Sequence, residues 1–115
     1  MDLSKISPEQ LVREIKDISP YIEEIGYINR ELRIGIGFPP SLDIFFEKTK
    51  DIDEAGAKEM IEKHKDKKLL GLVVNALLSA NSVQEKIDDI GEQKFKEVRL
   101  TLSLPPRITL RYMRE

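Results

Sequence analysis

A chain of 115 residues, 40% apolar and 35% charged, suits one soluble domain with a single core and is too apolar for a disordered segment. It has no cysteine, which excludes disulfides, thiolate metal sites and a cysteine nucleophile. The formal charge of −2 is unevenly placed. Residues 94–115 carry six Lys and Arg against Glu97 and Glu115, a pattern that marks either a nucleic-acid or membrane footprint or two halves of one molecule pairing.

The first predicted element is a helix over residues 8–17. Ser7 caps it, Pro8 opens its first turn, and Leu11, Val12, Ile15 and Ile18 recur at helical spacing. Ser19-Pro20 repeats the start signal and predicts a short second helix ending at Gly26. Residues 31–38 and 42–48 alternate strictly, with Leu32, Ile34, Ile36 and Phe38, then Leu42, Ile44 and Phe46, on one face. Parity predicts a three-residue loop, Pro39-Pro40-Ser41, with Phe38 opposite Leu42, Arg33 opposite Glu47 and Gly35 opposite Phe45.

Asp53 is the expected cap of a helix over 54–66 on which Met60, Ile61 and His64 share a face. Residues 69–80 are nearly all apolar, and their length and Ala-Leu content favour a helix over a buried strand. They are too short to span a bilayer. Ser82-Val83-Gln84-Glu85 has the form of a capping box for a short helix through Ile90. A second alternating hairpin follows, with Pro105-Pro106-Arg107 as its loop.

That second hairpin echoes the first. ELRIGIGFPPSLDIFF at 31–46 aligns without gaps to EVRLTLSLPPRITLRY at 97–112, sixty-six positions on, and four of the six prolines fall in the match. Ile22-Glu-Glu-Ile-Gly26 and Ile87-Asp-Asp-Ile-Gly91 form a second echo displaced by one residue. The expectation is a single domain over 1–115 with an internal repeat, 8–48 and 82–114, around a helical segment at 54–80, the copies packed about a pseudo-two-fold axis. The predicted fold is a two-layer α/β sandwich of the α+β type. Two α-β-β repeats form a four-stranded antiparallel sheet with helices on one face.

No catalytic constellation emerges. His64, the single histidine, has no Ser or Asp partner and lies among Glu62, Lys63 and Lys65 as a surface residue would. Asp51 to Glu62 places acids at positions one, three, nine and twelve of a calcium loop and glycine at six, but Ala55 and Lys58 break the pattern. A solvated helix start rich in acids accounts for it better. Gly35-Ile-Gly37 lacks the third glycine and the helix of a phosphate loop. The acidic pairs Glu23-Glu24 and Asp88-Asp89 read as wet sides of helical turns. No cofactor and no metal are expected.

By parity the outer sheet face displays Arg33, Phe45, Arg99, Arg107, Arg111 and Met113, and these are the candidate binding residues. Phe45 and Met113 are large apolar groups to leave in water. The functional expectation is a non-catalytic module that associates with a protein partner or a second copy through this open face. The alternative is RNA binding, with arginines contacting phosphate around an exposed Phe45, against which stands cross-strand pairing with the acids. Without a signal peptide or an apolar span, the expected location is the cytoplasm, and no membrane partner is expected. The scarcity of Asn and Gln and the abundance of Lys and Glu match hyperthermophilic proteins.

Overall fold

The computed structural model describes residues 7–36, 41–87, 91, 93–102 and 106–114. Its elements are α1 (Pro8–Ile25), β1 (Tyr27–Gly35), β2 (Ser41–Lys48), α2 (Glu54–Lys63), α3 (Lys68–Lys86), β3 (Gln93–Leu102) and β4 (Arg107–Arg114). The four strands form one antiparallel sheet in the order β1-β2-β3-β4, and with the helices this is the two-layer α+β fold read from the pattern.

Helix α1 is continuous where two short helices were expected. Its buried stripe, Leu11, Ile15, Ile18, Ile22 and Ile25, runs at three- and four-residue spacing past Ser19-Pro20 without interruption. Burial of that stripe outweighs the cost of an internal proline, whose ring lies on the exposed side. Ser19 therefore does not cap: its hydroxyl donates to the Ile15 carbonyl at 2.8 Å. The outer ends agree with the sequence. The Gln10 N–H donates to Ser7 Oγ, and Gly26 closes the helix with φ at 119°. A side chain at Gly26 would also meet the Lys50 carbonyl oxygen at 2.8 Å from its Cβ, so glycine is required twice over.

Residues 69–80 are helical, and the helix continues to Lys86, so Ser82 sits inside α3 and starts nothing. The stripe Leu70, Val73, Val74, Leu77, Ala80 and Asn81 is buried without a break, and packing carries the helix through the capping sequence. The predicted end at Ile90 lies outside the described residues. Helix α2 ends at Lys63, with Ala57 and Met60 buried.

Sheet register corrects the predicted pairing by four residues in both hairpins. Arg33 faces Asp43, Gly35 faces Ser41 and Ile34 faces Leu42, so the last described pair on β1 is at Gly35, three residues short of the expected Phe38. In the second hairpin Thr101 faces Arg107 and Leu100 faces Ile108. Phe38, and the turn residues 39, 40, 103, 104 and 105, lie outside the described residues. Because four is even, the faces survive the error: Leu42, Ile44, Phe46, Val98, Leu100 and Leu102 are all buried against the helices. Each first strand also has a bulge, between Asn29 and Glu31 and between Phe95 and Glu97. The extra residue switches parity, so that odd-numbered Tyr27 and Phe95 join even-numbered Leu32 and Val98 on the core side.

Registers and bulges of the two hairpins thus coincide at an offset of sixty-six residues. The relation is not two-fold, however. With strand order β1-β2-β3-β4, hairpin β1-β2 maps onto β3-β4 by a step across the sheet, whereas a two-fold would have set equivalent strands side by side.

The core is complete in the middle of the sheet and incomplete at both edges. Leu32, Leu110 and Tyr112 are half-buried rather than fully covered. Ile34 and Ile36, expected against the helices, are 43% and 98% exposed, and Ile108 on the opposite edge is 37% exposed. The physical reason is reach: α1 packs on β1, and α3 on β3 and β4, and two helices do not cover the ends of four strands. Among the described residues no helix is long and apolar enough to cross a membrane.

Candidate functional site

Six candidate residues were placed on the outer sheet face, and that face is built around Phe45 in the centre of β2. Phe45 is not the wet aromatic that was expected: it is only 6% exposed. The Arg33 guanidinium from β1 lies 5.0 Å from its ring centroid, and the Arg99 guanidinium from β3 lies 5.4 Å from it. Two cations thus cover one ring, Arg99 from the position directly opposite on β3 and Arg33 diagonally from β1. Sequence reasoning missed this because cross-strand neighbours, direct or diagonal, are defined only once strand order and register are known.

Asp43 ties the arrangement together. Its carboxylate accepts from Arg99 Nε and Nη2 at 3.2 and 3.0 Å, and from the Thr101 hydroxyl at 2.6 Å. The side chain is 14% exposed. The hydrogen bond from Arg99 is the main cause holding the Asp43 carboxyl below its ordinary pKa, with the Thr101 bond and the charges of Arg99 and Arg33 adding to it against the opposing effect of burial. Arg99 is correspondingly raised, chiefly by the same bond to Asp43.

Around this centre other acids pair with Arg111, Arg33 and Arg30. Glu97 accepts from Arg111 at 2.8 Å, Glu31 from Arg33 at 2.8 Å, and Glu47 pairs with Arg30 at the first bulge. Such exposed pairs contribute little stability, but they occupy the guanidinium groups that phosphate contact would need. Arg107 is exposed at the start of β4 and makes no ion pair among the described residues. Met113 is 41% exposed near the end of β4, where it faces Lys94.

On the other side of the sheet a polar cluster joins β2 to α3. Lys48 Nζ donates to Asn81 Oδ1 at 2.8 Å and Gln84 Oε1 at 3.0 Å, and Asn81 Nδ2 donates to Glu85 at 3.2 Å. The buried Tyr27 hydroxyl has no hydrogen-bond partner among the described residues, and burial first, then the charge of Glu85, pushes its pKa up to about 12. No reactive pair results, since a phenol held protonated is a poor base at neutral pH.

His64 is half-buried, its ring 4.7 Å from that of Tyr21 on α1, so it serves as a packing contact between α1 and α2. Among the described residues no group of three His, Asp or Glu side chains could hold a metal ion. Asp88 and Asp89, the second acidic pair, and Gly37 lie outside the described residues. In the calcium-loop string, α2 begins at Glu54, and Glu59 and Glu62 bind Lys63 and Lys65 from within one helical run. Adding millimolar calcium is expected to leave the melting temperature unchanged. A saturable rise, abolished by Glu62→Gln, would show a site there.

Comparison with known proteins finds no matching family model, no matching curated protein and no matching solved structure.

Proposed function

We propose that this protein is a non-catalytic interaction module that assembles with further copies of itself through its sheet. The observation that carries this reading is the position of its wet apolar side chains. Ile34 stands on edge strand β1 and Ile36 just past its end, and Ile108 stands on edge strand β4. Large aliphatic groups beside backbone left unpaired among the described residues, on both edges, are the features that invite strand pairing with another chain. The outer face, also expected to mediate association, carries its own ion pairs and shields Phe45, which favours the edges as the meeting surface.

Sedimentation velocity over a rising concentration series tests the proposal. The weight-average sedimentation coefficient should climb above the monomer value. A concentration-independent monomer into the high-micromolar range would reject it.

A second reading, single-stranded RNA on the outer face, is supported by the exposure of Arg33, Arg107 and Arg111 together. Binding of this kind would fall steeply with ionic strength and weaken on Arg111→Glu. Lack of RNA binding at low salt removes it.

A further inference from the structure

Building on the self-association reading, we infer that copies join head to tail, with β4 of one chain pairing antiparallel to β1 of the next in the register that already joins β2 to β3 within the chain. The two hairpins share register and bulge at an offset of sixty-six residues, and their strand bounds differ only by one residue at the end of β3, so β4 is the counterpart of β2 and β1 the counterpart of β3. The β2–β3 junction is therefore a hairpin-to-hairpin interface formed once inside the molecule. Among the described residues its partner surfaces recur unpaired on the two outer edges.

The register of the outer junction follows from the inner one. Inside the chain Leu42 faces Leu102, Ile44 faces Leu100 and Phe46 faces Val98, and all six are buried. Moving each by sixty-six residues sets Ile108 opposite Ile36, Leu110 opposite Ile34 and Tyr112 opposite Leu32 of the next copy. Exposed Ile34 and Ile108 on the two edge strands, and Ile36 just past β1, become the equivalents of buried residues at the inner junction.

The helix layer leaves room for them. A groove of about 320 Å³ lies between α3 and the second hairpin, lined by Leu72, Ala76, Ser79, Leu100, Pro106 and Ile108. It adjoins the edge where Ile34 and Ile36 of an incoming β1 would lie. Further along the same edge, Tyr112 donates its hydroxyl to the Ile87 carbonyl at 2.6 Å, which sets exposed Val83 and Ile87 beside β4 as well.

One contact opposes growth. Where Phe45 faces Arg99 inside the chain, Arg111 would face Arg33 of the next copy. Each already holds an acid, Glu97 and Glu31, but like charges opposite one another weaken a strand pair, so assembly is reversible and concentration-dependent. A junction between two different edges does not close after one step and builds a ring or a filament.

Two variants test the inference, Ile34→Lys on β1 and Ile108→Lys on β4, both at positions exposed in the single chain. Sedimentation velocity is measured for the wild type, each variant and their equimolar mixture. The wild type should pass beyond the dimer as concentration rises. Each variant alone should remain a monomer, because every junction needs one intact edge of each kind. The mixture should recover a dimer and stop there, from the intact β4 of one and the intact β1 of the other, which also shows that both variants are folded. Wild-type assembly that persists in either variant alone would overturn the head-to-tail arrangement while leaving self-association standing. A mixture that stays monomeric although both variants melt like the wild type would overturn it too. A wild type that never leaves the monomer would remove self-association itself.

Discussion

Leu100→Ala is expected to destabilise the fold by about 2–5 kcal/mol, the usual range for truncating a fully buried leucine. Leu100 is wholly inaccessible in the middle of β3, opposite Ile44 on one side and Ile108 on the other. Removing three of its carbons leaves a void bounded by two strands and α3, which backbone hydrogen bonding prevents from collapsing. Thr109→Ala, one strand away on the exposed outer face, is expected to change stability by no more than about 0.5 kcal/mol. Chemical denaturation of both variants checks the face assignment directly. Equal effects would mean that parity has been misread on one strand.

Asp43→Ala is expected to destabilise the protein by about 1–2 kcal/mol at neutral pH, the worth of hydrogen bonds to a charged group discounted for partial exposure. Asp43 accepts from both Arg99 and Thr101, and Arg99 in turn covers Phe45. The loss is therefore of the clamp that holds a cation over the ring as well as of three hydrogen bonds. Its pH dependence has a definite sign. The folded pKa of Asp43 lies below its ordinary value, so its contribution is complete above about pH 4, where the unfolded carboxyl is ionised, and is lost as pH falls through the folded pKa. The stability gap between wild type and Asp43→Ala should accordingly narrow in acid. A gap that stays constant from neutral pH to pH 2 would mean the carboxylate's charge contributes nothing.

How much of this was legible in the sequence depends on which quantity is asked for. The faces of the strands were readable because side chains alternate with period two, and that alternation is insensitive to a register error of four. Leu100 points inward and Arg99 outward whether Arg33 faces Glu47 or Asp43. Register itself was not readable, because several even shifts give the same apolar pattern. The bulges at Arg30 and Lys96 were hidden for a related reason: only the switch from odd Tyr27 to even Leu32 as core residues marks the first, and the switch is clear only when both are known to be buried.

Local start signals misled where an apolar stripe continued through them. Ser19-Pro20 and Ser82-Val83-Gln84-Glu85 both have the composition of a helix beginning, yet Ile18, Ile22, Ala80 and Asn81 keep their helices intact across those points. The outer sheet face was legible as a set of residues and illegible as an arrangement. Arg33, Arg99 and Phe45 do share a face, but the prediction of an exposed ring failed because the arginines fold over it. Strand order, which makes β1 and β4 the outer strands of the described sheet, leaves no trace in the alternation of either hairpin.

Amide hydrogen exchange measured at low and high protein concentration tests most directly whether the sheet edges are where this molecule meets its own kind. Assembly through the edges predicts that exchange slows with concentration at residues 32–36 and 108–112 together, while the already paired β2–β3 junction is unchanged. Exchange at both edges that is fast and identical at every concentration would contradict it.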